Sequence, residues 1–298
     1  MYIYLNGKLV PDDQAKVSVF DHGLLYGDGV FEGIRVYEGN IFRLREHIDR
    51  LFESAKTIGL DVQMTVDELE QATIDTVVAN DMRDAYIRLV MTRGVGDLGI
   101  DPRNCPKPTL FIICSTISLY PKEFYDNGIA LVTASTRRIP LECLDPRIKS
   151  LNYLNNILAK IEAGKAGVPE AVMLNLSGRV AECTADNIFI LRDGRLKTPR
   201  LTEGALPGVT RGAVLELAQE AEVGTHETVL GLHDLYNADE CFLTGTGAEI
   251  VPVISIDGRQ IADGKPGTLT FDLLDRFRKL RVRDGMKVDY DRTPTLTG

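Results

Sequence analysis

Gly94-Val95-Gly96-Asp97-Leu98-Gly99-Ile100-Asp101-Pro102-Arg103-Asn104-Cys105-Pro106 decides what kind of fold this chain can adopt. Gly94, Gly96 and Gly99 have the spacing of a dinucleotide-binding turn, and they follow an apolar stretch that reads as a strand. That turn works only when a helix opens at the third glycine and aims its free amides at a pyrophosphate. Pro102 and Pro106 prevent such a helix, because proline lacks the backbone N–H and clashes with the preceding turn. A doubly wound nucleotide-binding fold is therefore excluded, and so are NAD and FAD as cofactors. A glycine-rich loop between two strands instead reaches outward, toward a ligand or another subunit.

The loop is flanked by AYIRLVMTR (85–93) and TLFIICSTISL (109–119), both read as strands. Further out, YIYL (2–5) and KLV (8–10) join at Asn6-Gly7 as a hairpin, and IRVY (34–37) and IF (41–42) form a second one around Glu38-Gly39-Asn40. Ile48, Leu51, Phe52, Ala55 and Ile58 recur at helical spacing within 44–58, with Gly59 at the position after the helix. Thr65 and Glu68 have capping-box spacing, and the apolar face behind them runs to about residue 81. The polar, proline-bearing stretch 120–128 marks a boundary. The expected domains are a small α/β domain over 1–120, a linker over 121–128 and a larger domain over 129–298.

In the second half the pattern predicts a strand at IALVTAST (129–136), a helix over 151–167 and strands at 170–176, 179–183, 187–193 and 195–199. A helix follows from about Thr210 to 221, then strands at 241–246 and 251–256, a last helix over 268–281 and a loose tail after Asp284. The class is α+β, a mixed α/β chain with mainly antiparallel or mixed sheets.

Charge narrows the partners. Lys and Arg number 34 against 43 Asp and Glu, a net −9 that repels a phosphate backbone and argues against nucleic acid. No run of 18 uncharged apolar residues is present, so no membrane segment is expected, and the start MYIYLNGKLVPDD lacks the cationic and apolar regions of a signal peptide, which points to the cytoplasm. The five cysteines, Cys105, Cys114, Cys143, Cys183 and Cys241, read as buried free thiols. His22, His47, His226 and His233 have no neighbours at ligand spacing and read as surface or capping groups, so no metal is expected.

Two turns could hold an anion: Leu206-Pro207-Gly208-Val209-Thr210-Arg211, directly before a helix, and Thr244-Gly245-Thr246-Gly247-Ala248, after an apolar strand. Together they suggest a phosphorylated ligand. Taken alone, Lys149 reads as a lysine with a packed stem and a solvated head, and Glu182 as a carboxylate on a wet strand face.

Taken in order, however, seven segments resemble the class IV aminotransferases, the fold type IV pyridoxal-phosphate enzymes related to D-amino acid aminotransferase. They are DHGLLYGDGVFEGIRVY (21–37), REHIDRL (45–51), AYIRLV (85–90), IKSLNYLNNILAK (148–160), AECTADNIF (181–189), ALPGVTR (205–211) and FLTGTGAEIVPV (242–253). The resemblance implies two domains with pyridoxal 5'-phosphate at their interface and the Schiff-base lysine, Lys149, on the larger C-terminal one. It implies that Glu182 faces the pyridine nitrogen, Tyr153 bonds the ring hydroxyl and Leu206 packs on the ring. Arg50, the amides of Val209 and Thr210, and Thr246 would take the phosphate.

Phe31-Glu32-Gly33-Ile34-Arg35 is similar to the branched-chain L-amino acid branch of the family. The implied activity is ping-pong transamination of leucine, isoleucine and valine with 2-oxoglutarate. Tyr26, Phe31 and Arg35, then Tyr86, Arg88, Thr246, Gly247 and Ala248, would line the substrate site. Tyr86 and Arg88 match residues that receive carboxylates. The resemblance further implies a homodimer or higher homo-oligomer, with loop 94–101 reaching the neighbouring active site. D-amino acid or (R)-amine aminotransferases and aminodeoxychorismate lyases share the lysine and cofactor, and a non-catalytic cofactor-binding protein is a reading from another class.

Overall fold

The structure is a computed structural model, and it describes residues 1–116 and 120–294. By contacts the chain forms two compact units: Met1–Ile117 with Ile148–Asn152 and Leu280–Gly298, and Ser118–Arg147 with Tyr153–Lys279.

In the first unit, β1 (Tyr2–Leu5) and β2 (Lys8–Pro11) form the first hairpin, α1 (His22–Tyr26) is a short helix, and β3 (Gly29–Tyr37) and β4 (Asn40–Phe42) form the second hairpin. Helices α2 (Leu44–Thr57) and α3 (Val66–Ala79) precede β5 (Ala85–Thr92) and β6 (Thr109–Ser115). The expected strand 109–119 is observed as far as Ser115, and Ile117–Leu119 lie outside the described residues. Gly285–Lys287 adds an edge strand, giving the antiparallel order 285–287, β4, β3, β5, β6, β1, β2. The chain end was expected to be loose; instead three of its residues pair with Asn40–Phe42, and Tyr290 lies under the Arg83 guanidinium.

Strand β3 is where the physics concentrates. Val30, Ile34 and Val36 point to one face and pack with Ile48, Leu51 and Ala55 of α2 in one apolar cluster. Thr65 caps α3 as its spacing predicts: its hydroxyl accepts from the Glu68 amide, and the Glu68 carboxylate accepts from the Thr65 amide.

The segment 148–152 belongs to this unit, where the expected boundary put it in the second. Two backbone hydrogen bonds and a side chain draw it in: Phe31 N donates to Lys149 O at 3.0 Å and Leu151 N to Gly29 O at 2.9 Å, which pairs Ser150 with Val30, and Lys149 N donates to Ser54 Oγ at 3.1 Å. Such pairing is long-range and leaves no mark in local sequence.

In the second unit, the expected linker holds a short helix, α4 (Lys122–Asn127), ended by Gly128 at φ 77°. Then come β7 (Ile129–Thr133), α5 (Leu154–Lys165), β8 (Glu170–Leu174), β9 (Val180–Cys183), β10 (Asn187–Arg192), β11 (Arg195–Pro199), α6 (Val209–Glu220), β12 (Gly224–Thr228), α7 (Leu232–Tyr236), β13 (Glu240–Gly245), β14 (Glu249–Ile256), β15 (Arg259–Gln260) and α8 (Thr268–Leu280). The sheet order is β12, β11, β10, β13, β14, β7, β8, β9, with β15 on β14. Pairs β11·β12, β14·β7 and β7·β8 are parallel and the rest antiparallel, the mixed sheet expected.

Candidate functional site

Two groups of functional side chains stand in the two units, and each is described by itself. In the first unit, β3 alternates in and out, so Glu32 falls in the apolar row with Val30 and Ile34, where it is fully buried. Two residues one turn apart on α2 meet it: Arg50 Nε donates to Glu32 Oε1 at 2.7 Å and Nη2 to Oε2 at 2.8 Å, while His47 Nδ1 lies 2.8 Å from Oε2. Burial pushes the Glu32 carboxyl up, but Arg50 and His47 outweigh it and hold the group well below the usual carboxylate range. Burial pulls the His47 imidazole down, against the attraction of Glu32. The expectation of a surface or capping role fails for His47 and for His22, both buried; His226 and His233 are exposed.

On the opposite face of β3, Phe31, Gly33 and Arg35 line up beside β5, with Gly33 across from Arg88 and Arg35 across from Tyr86. Arg88 lies over the Phe31 ring at 4.7 Å and donates to the Tyr86 hydroxyl at 3.0 Å. The Lys149 ammonium also stands 4.7 Å over the Phe31 ring. Gly33 makes this possible: a Cβ there would come within 2.1 Å of the Tyr86 hydroxyl. Phe31, Tyr86, Arg88 and Lys149 are thus one cluster. Arg35 is ~13 Å further along the strand from Phe31, with its guanidinium on the Tyr37 ring. Tyr26, at the end of α1, donates to Leu98 O in the glycine loop and is not joined to that cluster by any contact here described.

In the second unit Glu182, on β9, is 5% exposed, so the solvated reading of this residue fails. Arg138 Nη2 reaches its Oε1 at 2.8 Å, while Leu206 N donates to Oε2 at 2.9 Å and Asn187 Nδ2 to the same oxygen at 3.2 Å. Arg138 is itself fixed by Asn156 Oδ1 at 2.8 Å and Gly204 O at 3.1 Å. The second hydrogen of Asn187 goes to Leu206 O at 2.9 Å, which ties the Leu206-Pro207-Gly208 turn to the carboxylate. That turn leads into α6, whose N-cap is Gly208 with no side-chain cap and whose first turn has no acidic residue. Val209 and Thr210 open the helix, an arrangement suited to an anion. Tyr153 stands at the N-cap of α5, half-buried. Thr246, Gly247 and Ala248 form the turn between β13 and β14, and the buried Thr244 hydroxyl just before it has no hydrogen-bond partner among the described residues.

Sequence reasoning missed Glu32, His47, Arg138 and Asn187. Two of them left a signal: Glu32 breaks an otherwise apolar row, and His47 stands three residues before Arg50 on one helix face. Of the thiols, Cys114, Cys183 and Cys241 are buried, Cys105 is half-buried and Cys143 is exposed, against the expectation that all are buried. Burial pushes the Cys114 thiol up to about 12. Among the described residues no helix is long and apolar enough to cross a membrane, and no histidine, cysteine and carboxylate group could hold a metal ion.

Comparison with known proteins places the chain in a family. The family described as amino-transferase class IV matches residues 29–256. A Methanocaldococcus jannaschii protein provisionally named a branched-chain-amino-acid aminotransferase is 54% identical over 291 residues, spanning 98% of this chain and 100% of its own. The crystal structure of the Escherichia coli branched-chain amino acid aminotransferase superposes with a TM-score of 0.92 at 36% identity, covering 96% of both chains. That of the Thermobaculum terrenum enzyme in its PLP-form gives 0.86 at 36% identity, over 98% of this chain and 96% of the other. The chain belongs to the class IV aminotransferases, in their branched-chain-amino-acid branch.

Proposed function

We propose that the chain transfers the amino group of leucine, isoleucine or valine to 2-oxoglutarate, with pyridoxal 5'-phosphate as cofactor. The observation that carries this reading is Glu182, a buried carboxylate fixed by Arg138, Asn187 and the Leu206 amide. A carboxylate held so firmly suits a pyridine nitrogen that must stay protonated. The rest of the donor set fits the same group: an uncapped helix start at Gly208 for a phosphate, the buried Arg50 guanidinium, and Lys149 as the primary amine. When bound, the cofactor supplies the electron sink that lets an amino acid lose its Cα proton.

In this reading the Lys149 amine would hold the cofactor through its aldehyde and, when free, would serve as the base that takes the substrate Cα proton. Arg50, the Val209 and Thr210 amides and Thr246 would hold the phosphate, Tyr153 the ring hydroxyl and Leu206 the ring face. Tyr86 and Arg88 receive a carboxylate, and Phe31 and Tyr26 supply apolar lining. The Gly247 and Ala248 amides orient the substrate, and Arg35 borders it. The homodimer is the working unit, with loop 94–101 reaching the neighbouring site; Leu98 and Ile100 on that loop are 69% and 82% exposed, apolar surface that calls for cover.

The test is spectroscopic. Purified protein loaded with pyridoxal phosphate should show the visible band of the lysine-bound cofactor, lose it with L-leucine and regain it with 2-oxoglutarate. Lys149→Ala should abolish both the band and turnover. Bleaching by D-alanine or an (R)-amine alone would overturn the branched-chain reading. Failure to form a band would overturn the cofactor, and turnover without Lys149 would overturn its role.

A further inference from the structure

Asp186 has no part in the chemistry described so far, yet it is buried against Gly245, the residue that leads into the Thr246–Ala248 turn. It ends the turn between β9 and β10, and because Asn187 pairs with Thr244, Asp186 falls alongside Gly245. The fit is close: a Cβ on Gly245 would come within 2.0 Å of Asp186 Oδ1, so only glycine lets the carboxyl lie against this strand end. On its other side, Tyr120 donates its hydroxyl to Asp186 Oδ2 at 3.3 Å.

A second buried carboxylate stands close by. Glu170, at the start of β8, accepts from Ala171 N at 2.7 Å, Thr184 N at 3.0 Å, Thr184 Oγ1 at 2.8 Å and Lys160 Nζ of α5 at 3.1 Å. Glu170 is therefore saturated with donors, whereas among the described residues the Asp186 carboxyl accepts from the Tyr120 hydroxyl alone. The charged or titratable groups facing Asp186 are Tyr120, Lys160 of α5, Glu170 of β8, and Glu182 and Cys183 of β9. Two carboxylates so placed cannot both ionise without repulsion.

We propose that Asp186 is a positioning residue whose proton sets how strongly the Thr246–Ala248 turn binds the carboxylate of the substrate. Protonated, it buttresses Gly245 as a neutral group. Ionised, it adds a negative charge at Gly245, where the turn begins, and opposes the incoming carboxylate. Burial, then Glu170, push the Asp186 carboxyl up to about 7, with the Tyr120 hydrogen bond and Lys160 pulling the other way. The change of state thus falls near neutral pH. This inference rests on the proposed aminotransferase reading, in which the Gly247 and Ala248 amides orient the substrate, and adds that they do so by binding one of its carboxylates.

The test compares wild-type holoenzyme with Asp186→Asn and reads the inhibition constant of 4-methylpentanoate from about pH 6 to about pH 9, a range in which the inhibitor itself stays ionised. Titrations of the bound cofactor occur in both proteins and cancel in the ratio of the two constants. The wild-type to variant ratio should be close to one at the acid end and rise about tenfold at the alkaline end, while kcat for L-leucine keeps the same pH dependence in both. Tyr120→Phe, which keeps the carboxyl but removes its donor, should move the rise to higher pH in an otherwise folded enzyme, and it carries the test should Asp186→Asn fail to fold. A ratio independent of pH, or a rise unmoved by Tyr120→Phe, overturns the proposal in an enzyme that does bleach with L-leucine. An enzyme that never bleaches overturns the parent reading, and this inference with it.

Discussion

A carboxylate in the apolar row of a central strand is tolerated only when its charge is answered, and Glu32 is answered by the Arg50 guanidinium and the His47 ring, both on one face of α2. The partner that matters most is Arg50, because removing Glu32 would leave a buried guanidinium without a counter-charge. Glu32→Gln should therefore destabilise the fold by roughly 3–5 kcal/mol at neutral pH and weaken cofactor binding through Arg50. The pH dependence has a definite sign: the folded-state carboxyl is held below its ordinary value, so its contribution is full above the carboxylate range and is lost as pH falls through that lowered value. Urea titrations of wild type and variant should diverge at neutral pH and converge in acid; curves equally separated at every pH would refute the argument. Taken alone, Lys149 and Glu182 gave only surface readings, and their proposed roles came from the order of motifs around them; the burial of Glu182 needed the fold. Asn187 and Arg138 were invisible, because a hydrogen bond to a neighbour in space has no fixed spacing along the chain.

Helices and strands long enough to show a period were legible to within a few residues. The capping box predicted the start of α3, and the apolar spacing predicted α2 over 44–58 against an observed Leu44–Thr57. Helices α1 and α7 and strand β12, of five residues each, went unread, since five residues complete barely more than one helical turn. The start of α8 shows how a remote side chain completes an element. Glu240 of β13 accepts from Leu269 N at 3.0 Å and from Thr270 N at 2.8 Å, and a Cβ on Gly267 would clash with its carboxyl group at 1.9 Å. Nothing local in 268–270 supplies these acceptors. Glu240→Ala should cost about 2 kcal/mol through the lost cap and the lost charge at the helix start, read as a lower melting temperature. A variant that melts with wild type would show that water caps the helix equally well.

At the scale of the whole chain, the division into units is where local reasoning had least purchase. The stretch 148–152 lies between two segments of the second unit in sequence yet is hydrogen-bonded into the first, on the partners Gly29, Phe31 and Ser54. Exposed apolar side chains remain in each unit: Leu24, Leu98 and Ile100 in the first, and Leu154, Ile157, Leu158 and Ile161 along one stripe of α5 in the second. Helix α5 buries Asn156, Ala159 and Ala163 and turns its large residues outward, the reverse of a lone surface helix. A homodimer is expected to cover such surface, so light scattering should give twice the chain mass and Ile100→Asp should shift the population toward monomer; a monomeric wild type would refute the dimer. By itself the sequence determined the secondary elements with clear periodicity, the exclusion of a nucleotide-binding fold, and the family, because those depend on residue type at short spacing. Only the tertiary structure decided that Glu32 pairs with Arg50, that Arg138 and Asn187 fix Glu182, and that the Lys149 segment joins the first unit. Each of these is a contact between residues far apart in sequence, selected by burial and charge rather than by local order.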